Sequence, residues 1–167
     1  MKHIYIRTSE IDGKGVAAGE AIRKGELIQY IKGDAKYLAI TNREQSASNP
    51  NWIGIGRNRW IDPDHPNQYL NHSCSPNSGI KGKVTMIALR DIKEGEEITI
   101  DYSITESDNL WEMECTCGEA NCRKLITSIH HIPEEQFNAY LPYVPTYFKK
   151  LYLRGRDQKD SPGGATI

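Results

Sequence analysis

Four cysteines are distributed along the chain in a way that could bind a metal ion. Cys115, Cys117 and Cys122 lie close together in the run CTCGEANC, and Cys74 lies far upstream. Structural zinc takes four soft ligands in a tetrahedron, and close cysteines around a glycine-containing turn can supply part of one. We therefore predict a zinc site that joins the later segment to the loop of Cys74. Four ordinary thiols are the alternative, and a redox dithiol is disfavoured because the spacing is C-x-C.

The triplet Asn71-His72-Ser73 precedes Cys74 and supports a second kind of chemistry. A free Cys74 activated by a nearby histidine would be a hydrolase nucleophile. If Cys74 binds zinc instead, its thiolate is occupied and the hydrolase hypothesis fails. Asp101-Tyr102 at the end of a strand-like run is also open to two interpretations. Such a tyrosine is usually half-buried structure and only sometimes a catalytic hydroxyl.

Two glycines flank Lys14 in the run Gly13-Lys14-Gly15-Val16. The run lacks the third glycine and the following helix of a dinucleotide-binding fingerprint, so a Rossmann-type site is excluded by context. The simple interpretation is a turn. The functional alternative is a backbone kept bare so that a ligand can lie directly against it.

Short strands are the elements that must position these residues. Ile4 and Ile6 alternate with polar neighbours, and residues 27–31, 37–40, 52–55, 84–89 and 97–100 have strand length with β-branched or aromatic content. A parallel doubly wound sheet is unsuitable because no crossover helices separate these runs. Later in the chain, Pro133 and Pro145 each indicate a helix start. The sequence thus predicts a mainly β domain followed by two helices.

Composition narrows the possible partners and compartment. The 167 residues carry 21 basic and 22 acidic side chains, a net charge of −1, so we expect no direct nucleic-acid binding. No run approaches the roughly 20 apolar residues of a membrane helix, and the N-terminus is unlike a signal peptide. We expect an intracellular, reducing compartment, cytoplasmic or nuclear, in which the cysteines stay unpaired.

Taken together and in their order along the chain, the motifs indicate one protein family more strongly than any of them does alone. They are Gly13-Lys14-Gly15, Tyr30, Asn71-His72-Ser73-Cys74-x-Pro76-Asn77, Gly95-Glu96-Glu97-Ile98-Thr99-Ile100-Asp101-Tyr102 and Cys115-x-Cys117-Gly118-x3-Cys122-Arg123. From about residue 6 to residue 125, the chain resembles the SET-domain protein lysine methyltransferases with a post-SET segment. The resemblance implies a SET fold of small curved sheets with a pseudoknot, in which the Asp-Tyr segment passes through a loop near Asn71.

The resemblance also implies a division of the chain. Residues 1–112 would form the SET domain and residues 113–128 a zinc-bound post-SET segment. Residues 129–156 would form a C-terminal helical annex, and residues 157–167 a flexible tail.

The resemblance implies an enzyme that moves a methyl group from S-adenosylmethionine to a lysine of a protein or peptide, with a histone tail as the family-level expectation. The backbone of Lys14 and Gly15 would contact the cofactor, Asn71 would hold its methionine part, and the backbone of His72 would hold its adenine. Structural zinc would be bound by Cys74, Cys115, Cys117 and Cys122.

The implied catalytic residues are Tyr102, which matches the family's catalytic tyrosine, and Tyr30, which matches an aromatic residue of the lysine channel. Ile100 would complete the wall of that channel. Ile100 stands where many relatives carry Phe or Tyr, and Gln68-Tyr69 replace the usual Arg and Phe, so substrate choice and the number of methyl groups transferred stay open. The alternative function is a non-catalytic, zinc-stapled SET module that binds peptide or cofactor.

Overall fold

The computed structural model describes residues 1–39 and 51–159 of the chain. The strands in these residues are β1 Ile4–Thr8, β2 Lys14–Ala18, β3 Leu27–Tyr30, β4 Gly33–Tyr37, β5 Ile53–Gly56, β6 Arg59–Pro63, β7 Asn71–His72, β8 Ser78–Lys81, β9 Thr85–Ala88, β10 Glu97–Ile100, β11 Glu112–Glu114 and β12 Leu125–Thr127. The α-helices are α1 Glu134–Tyr140 and α2 Thr146–Lys159, and 3-10 turns cover Asn67–Tyr69, Tyr102–Thr105 and Ile129–His131. The predicted mainly β architecture is confirmed.

The strands form four small sheets with orders β1-β2-β10-β7, β3-β9-β8, β4-β6-β5 and β11-β12. Most pairs are antiparallel. The pair of β7 and β10 is parallel, with Thr99 opposite Asn71 and Ile100 opposite His72. This pairing brings the Asn-His and Asp-Tyr motifs side by side. It is the contact that the predicted pseudoknot requires.

The main core lies between the first two of these sheets. Val16, Ile28, Ile80 and Ile98 are fully buried there. Strand β2 was not predicted because its sequence, KGVAA, is poor in strong strand formers. Its residues Val16 to Ala18 are nevertheless 0% exposed, so pairing with β1 and β10 and burial decide its conformation rather than propensity.

The C-terminal helices form a second core cluster. Pro133 precedes α1 and acidic residues occupy its first turn, as the helix dipole favours. Phe137 of α1 stacks on Tyr152 of α2 with ring centroids 3.8 Å apart, and Phe148 is buried beside them. Both predicted helices are therefore confirmed. None of the helices in the described part of the chain is long and apolar enough to cross a membrane.

Two boundary predictions need correction. The strand expected at residues 37–40 is β4, which ends at Tyr37, and residue 40 lies outside the described residues. Gly33 begins this strand, and a side chain there would overlap the backbone of Asp62 in β6. The flexible tail was expected to begin at residue 157, but residues 157–159 form the last turn of α2, which ends at Lys159. Residues 160–167 lie outside the described residues.

Candidate active site and metal centre

The four predicted zinc ligands converge in space. The sulfur atoms of Cys74, Cys115, Cys117 and Cys122 all lie within 4.8 Å of one another, and all four cysteines are free thiols. The Sγ atoms of Cys74 and Cys115 are 3.8 Å apart. Zinc–sulfur bonds of about 2.3 Å in a tetrahedron put two sulfurs about 3.8 Å apart. The cluster therefore fits a structural zinc ion.

Chain topology explains how the cluster is assembled. Strand β11 leads into Cys115 and β12 follows Cys122, so their antiparallel pairing closes a loop that contains the three later cysteines. Cys74 is 1% exposed beneath this loop. The backbone N–H of Arg123 donates to its sulfur at 3.3 Å. Such hydrogen bonds to a ligand atom orient it and support its thiolate form.

Burial raises the pKa of the Cys74 thiol, so without a metal ion this group stays protonated and is a weak nucleophile. The sulfurs of three other cysteines also surround the Cys74 sulfur within 4.8 Å, which is the arrangement of a metal ligand rather than of a free nucleophile. The cysteine hydrolase hypothesis is therefore rejected. A bound zinc ion has the opposite effect on the thiols, because it requires them in the deprotonated form.

His72 connects the metal cluster to the predicted catalytic tyrosine. Its Nδ1 accepts a hydrogen bond from the backbone N–H of Tyr102 at 3.1 Å, and its Nε2 lies 3.3 Å from the Cys74 sulfur. Burial lowers the pKa of His72 from 6.5 to about 4, so the ring is neutral at neutral pH. Because Nδ1 is an acceptor, the proton lies on Nε2 and is donated to the sulfur.

Tyr102 begins a 3-10 turn directly after β10. Its hydroxyl donates to the backbone carbonyl of Leu70 at 2.6 Å, and its ring lies edge-on to His72 with centroids 5.4 Å apart. Burial, with smaller contributions from the charges of Asp12 and Glu97, raises the pKa of the phenol above its ordinary value. The group therefore remains a protonated donor, fixed against the residue that precedes Asn71.

Asp101 is 0% exposed and its charge is balanced by Arg123. The Nη2 atom of Arg123 lies 2.6 Å from Asp101 Oδ1, and the backbone N–H of Ser103 donates to the same oxygen at 3.0 Å. The hydroxyl of Tyr140 donates to Oδ2 at 3.1 Å. A buried ion pair needs such additional hydrogen bonds to offset its desolvation. Asp101 thus joins β10, the segment after the cysteines, and α1.

The side-chain amide of Asn71 is fixed in one orientation. Its Nδ2 donates to the carbonyl of Lys14 at 3.0 Å and to Glu97 Oε1 at 2.8 Å. Further contacts join Nδ2 to Ser9 Oγ at 3.1 Å and the carbonyl of Asp12 at 3.3 Å. Carbonyl and carboxylate oxygens only accept, so the nitrogen must face them. The amide oxygen of Asn71 faces away from this set.

Gly15 lies against Glu97 in the neighbouring strand. A Cβ atom at this position would overlap the Glu97 carboxylate, which explains the glycine by close packing rather than by a turn. The side chain of Lys14 points elsewhere, with its Nζ 5.3 Å from the centre of the Tyr69 ring. Gly15 is buried and pairs with Arg7 of β1, and the carbonyl of Lys14 accepts from Asn71, so contact of this backbone with a cofactor stays a prediction.

A cleft of about 530 Å³ lies next to this group. Its walls include Ile11 from the β1–β2 connection, Ser73 from the Cys74 loop, and Cys117 and Glu119 from the cysteine-rich segment. Glu97 is also part of the wall. The predicted cofactor residues Lys14, Gly15, Asn71 and His72 are not among the residues that line this cleft. Glu97, which accepts from Asn71, connects them to its wall, and the cysteine-rich segment forms another part of that wall.

The structure does not bring together all of the predicted channel residues. Tyr30 is 43% exposed at the end of β3, opposite Thr85, and among the described residues no hydrogen bond or ring contact joins it to Tyr102. Ile100 is 1% exposed and packs in the main core. The roles of Tyr30 and Ile100 in a lysine channel stay predictions.

Sequence reasoning assigned no role to several residues that hold the site together. They are Ser9, Leu70, Glu97, Arg123, Gln136 and Tyr140. Arg123 directly follows Cys122, and Asp101 directly precedes Tyr102. Their opposite charges could have indicated an ion pair between these two segments. No local pattern indicates Gln136 or Tyr140, because each acts on residues far away in sequence.

The fold is mainly β, and it pairs the strand of Asn71 and His72 with the strand that precedes Asp101 and Tyr102. The cluster of four cysteines lies beside this pair. Together these features define the class of this protein. The SET domain family model matches residues 13–103, more than half of the chain. The chain belongs to the SET-domain family. Because the match ends at residue 103, the post-SET assignment of residues 113–128 stays a prediction, with which the cysteine cluster is consistent.

Relatives with similar sequences include a histone-lysine N-methyltransferase and another SET domain-containing protein. The chain is 30% identical to human histone-lysine N-methyltransferase 2D over 138 residues, which cover 73% of this chain and 2% of that protein. It is 34% identical to the variant-silencing SET domain-containing protein of Plasmodium falciparum over 142 residues, covering 73% and 6%. The chain thus spans a small fraction of the length of these relatives.

Solved structures share the fold. A crystal structure of KRYPTONITE in complex with methylated DNA, an H3(1-15) peptide and SAH superimposes with a TM-score of 0.58 and 22% sequence identity. The match covers 75% of this chain and 29% of KRYPTONITE. A second KRYPTONITE complex with DNA and SAH gives a TM-score of 0.57. These matches confirm the SET fold.

Proposed function

We propose that this protein transfers a methyl group from S-adenosylmethionine to the side-chain amine of a lysine in a protein or peptide. The observation that carries the proposal is the pairing of β7 with β10. It sets Asn71 beside Thr99, and the Tyr102 hydroxyl donates to Leu70, the neighbour of Asn71. A cleft of about 530 Å³ is lined by Glu97 and Thr99 of β10 and by Ser73, which follows β7.

Asn71 would bind the methionine part of the cofactor through its amide oxygen. All described partners of its side chain are acceptors that contact the nitrogen. The oxygen is left to accept from a positively charged amino group, and such charge-assisted hydrogen bonds are strong. Glu97 supports this orientation and adds negative charge near a cationic ligand.

A lysine in water has a pKa near 10.4, so almost none of it carries the lone pair that attack requires. A narrow apolar channel lowers that pKa because it disfavours the charged form. Tyr102 stays protonated, and its hydroxyl is held by the carbonyl of Leu70. With its hydrogen engaged, its oxygen lone pairs are free for weak hydrogen bonds from a polarised methyl group.

Bound S-adenosylmethionine supplies an electrophilic methyl group on a positively charged sulfur. The protein's own contribution is alignment, because holding the amine in line with the methyl group removes much of the entropic barrier. Asn71 and the backbone of Lys14 and Gly15 would fix the cofactor, and Tyr102 would fix the reacting end. No described side chain stands out as a base, so we propose that the lysine proton leaves through water.

The relatives support a histone or other lysine-bearing peptide as substrate. Their names include histone-lysine N-methyltransferases, and one neighbour is bound to an H3 peptide. The absence of a nucleic-acid partner stays a prediction that rests on net charge, and the DNA bound by KRYPTONITE weighs slightly against it. An intracellular, reducing location also stays a proposal, supported by four thiols that cluster without pairing.

A non-catalytic SET module remains the second candidate. The exposure of Tyr30 and the burial of Ile100 favour it, because the channel residues do not converge. A fixed phenol at Tyr102 and a saturated amide nitrogen at Asn71 favour the enzyme, because binding of a peptide alone requires neither.

Methyl transfer from isotopically labelled S-adenosylmethionine tests the proposal. The purified chain would be incubated with histone tails and with a mixed protein extract, and labelled lysines identified by mass spectrometry. We expect labelled lysine with the natural protein and strongly reduced label with Tyr102→Phe. Cofactor binding without label in any substrate would favour the binding module.

A further inference from the structure

Helix α1 carries two polar side chains that reach the active-site region from outside the matched family segment. Gln136 and Tyr140 are four residues apart and therefore lie on one face of the helix. The family match ends at residue 103. Nothing in the SET motifs accounts for either side chain.

Gln136 fastens the helix to the loop that holds a predicted zinc ligand. Its Nε2 donates to the backbone carbonyl of Cys74 at 2.6 Å. The side chain of Asn121, from the cysteine-rich segment, donates to the same carbonyl at 3.2 Å. One oxygen atom thus receives hydrogen bonds from α1 and from the segment that walls the cofactor cleft.

Tyr140 fastens the helix to the buried acid beside the catalytic tyrosine. Its hydroxyl donates to Asp101 Oδ2, whereas Arg123 and Ser103 donate to Oδ1. Within the described part of the chain, Tyr140 is the hydrogen-bond donor to Oδ2. Loss of this donor would leave one oxygen of a buried carboxylate unsatisfied, which is costly.

Asp101 connects Tyr140 to two parts of the site. It precedes Tyr102 in the chain and accepts a hydrogen bond from the N–H of Ser103 in the same turn. The position of Asp101 therefore determines the position of the Tyr102 side chain. It also anchors Arg123, whose backbone N–H contacts the Cys74 sulfur. A displacement of Asp101 would therefore disturb both the phenol and the zinc cluster.

We propose that α1 is a brace for the active site, in which Tyr140 and Gln136 are positioning residues that hold Asp101 and the Cys74 loop. The brace keeps the cysteine-rich segment closed over the cofactor cleft and Tyr102 in register with Asn71. Its effects on methyl transfer and on SAH binding rest on the proposed function. Its effect on zinc retention does not.

Tyr140→Phe tests the brace, and Tyr152→Phe is its matched control. Both tyrosines are 5% exposed in the same cluster, but the Tyr152 hydroxyl accepts from Arg156 and contacts nothing in the active site. Zinc release to a chromogenic chelator and SAH affinity by calorimetry would be measured below the melting temperature of every variant. When a group that supports a metal ligand by hydrogen bonding is removed, metal affinity or activity typically falls 10–100-fold.

We expect Tyr140→Phe to release zinc about tenfold faster and to bind SAH about tenfold more weakly, while Tyr152→Phe stays within about twofold of the natural protein. Natural rates and affinities for Tyr140→Phe, or equal losses in both variants, would overturn the brace. A chain with these losses but no transferase activity in any assay would refute the proposed function and leave the brace intact.

Gln136→Ala gives a second test if Tyr140→Phe does not fold. Gln136 is half-buried on the helix surface and Asn138 is exposed on the same helix, so Asn138→Ala is the control. The brace requires faster zinc release for Gln136→Ala than for Asn138→Ala. Indistinguishable release rates would contradict it.

Discussion

The Nε2 atom of His72 lies 3.3 Å from the sulfur of Cys74, so the residue that receives the Tyr102 backbone N–H also contacts a predicted zinc ligand. The ring is buried and neutral. One imidazole therefore links the predicted zinc cluster to the predicted catalytic tyrosine. We expect this link to couple zinc binding to the position of Tyr102.

Removal of zinc should loosen the cysteine-rich segment and weaken cofactor binding. The binding free energy of structural zinc is also folding free energy, so residues 113–128 should lose protection when the ion is removed. Hydrogen exchange and SAH calorimetry, before and after chelation, measure both effects. Restoration by added zinc is the control. Full SAH affinity in verified metal-free protein would contradict the coupling.

Tyr102→Phe should lower the turnover number by about a hundredfold, because small losses of alignment have effects of this size. The hydroxyl bond to Leu70 is lost, but the ring contact with His72 can remain. Zinc content and melting temperature should change little. Turnover equal to that of the natural protein would refute the role of the phenol.

Glu97→Gln should weaken SAH binding about tenfold, because a hydrogen bond to a charged group contributes about 1.5–3 kcal/mol. The Glu97 carboxylate accepts from Asn71 and Ser9 and so fixes the amide that would bind the cofactor. Glu94→Gln is the control, since Glu94 is exposed in the turn that precedes β10. Calorimetry that finds equal affinities for both variants would rule out the support given to Asn71.

Glu106 should make stability fall as pH rises. Burial raises its pKa from 4.5 to about 7, against hydrogen bonds from the N–H groups of Asp108 and Ser107. Between pH 4.5 and about 7, the Glu106 carboxyl is ionised in the unfolded state but still protonated in the folded state. Rising pH therefore favours unfolding, and the loss of folding stability is complete above about pH 7. A shift of this size corresponds to roughly 3 kcal/mol.

Glu106→Gln should therefore raise the free energy of unfolding by roughly 3 kcal/mol at pH 8 and by less at pH 5. The amide oxygen can keep the two backbone hydrogen bonds. Denaturant unfolding at both pH values measures the difference, with Glu135→Gln on the surface of α1 as the control. A gain of the same size at both pH values would show that the carboxyl of Glu106 does not titrate in this range.

The sequence was most informative where chemistry constrains it. Four cysteines that we expected to stay unpaired have few uses, so the convergence of Cys74 with Cys115 followed from residue type and spacing. Strand β10 and both helices were predicted from their local patterns. Strand β2 was not, because alanine and glycine carry little strand propensity and only its partners make it a strand.

The supporting contacts could not be predicted, because they join distant residues without a local pattern. Asp101 and Tyr140 are 39 positions apart, and Asn71 and Glu97 are 26 positions apart. Each pair depends on how sheets and helices pack. The position of Tyr30 on the exposed end of β3 is likewise a consequence of packing, and the motif alone indicated a channel residue.

A crystal structure with SAH and a lysine-bearing peptide tests the central claim most directly. The account predicts that the methionine part of SAH contacts Asn71 and the backbone of Lys14 and Gly15, with its sulfur facing the lysine nitrogen beside the Tyr102 hydroxyl. SAH bound away from Asn71, or a lysine that enters no cavity shared with Tyr102, would contradict it.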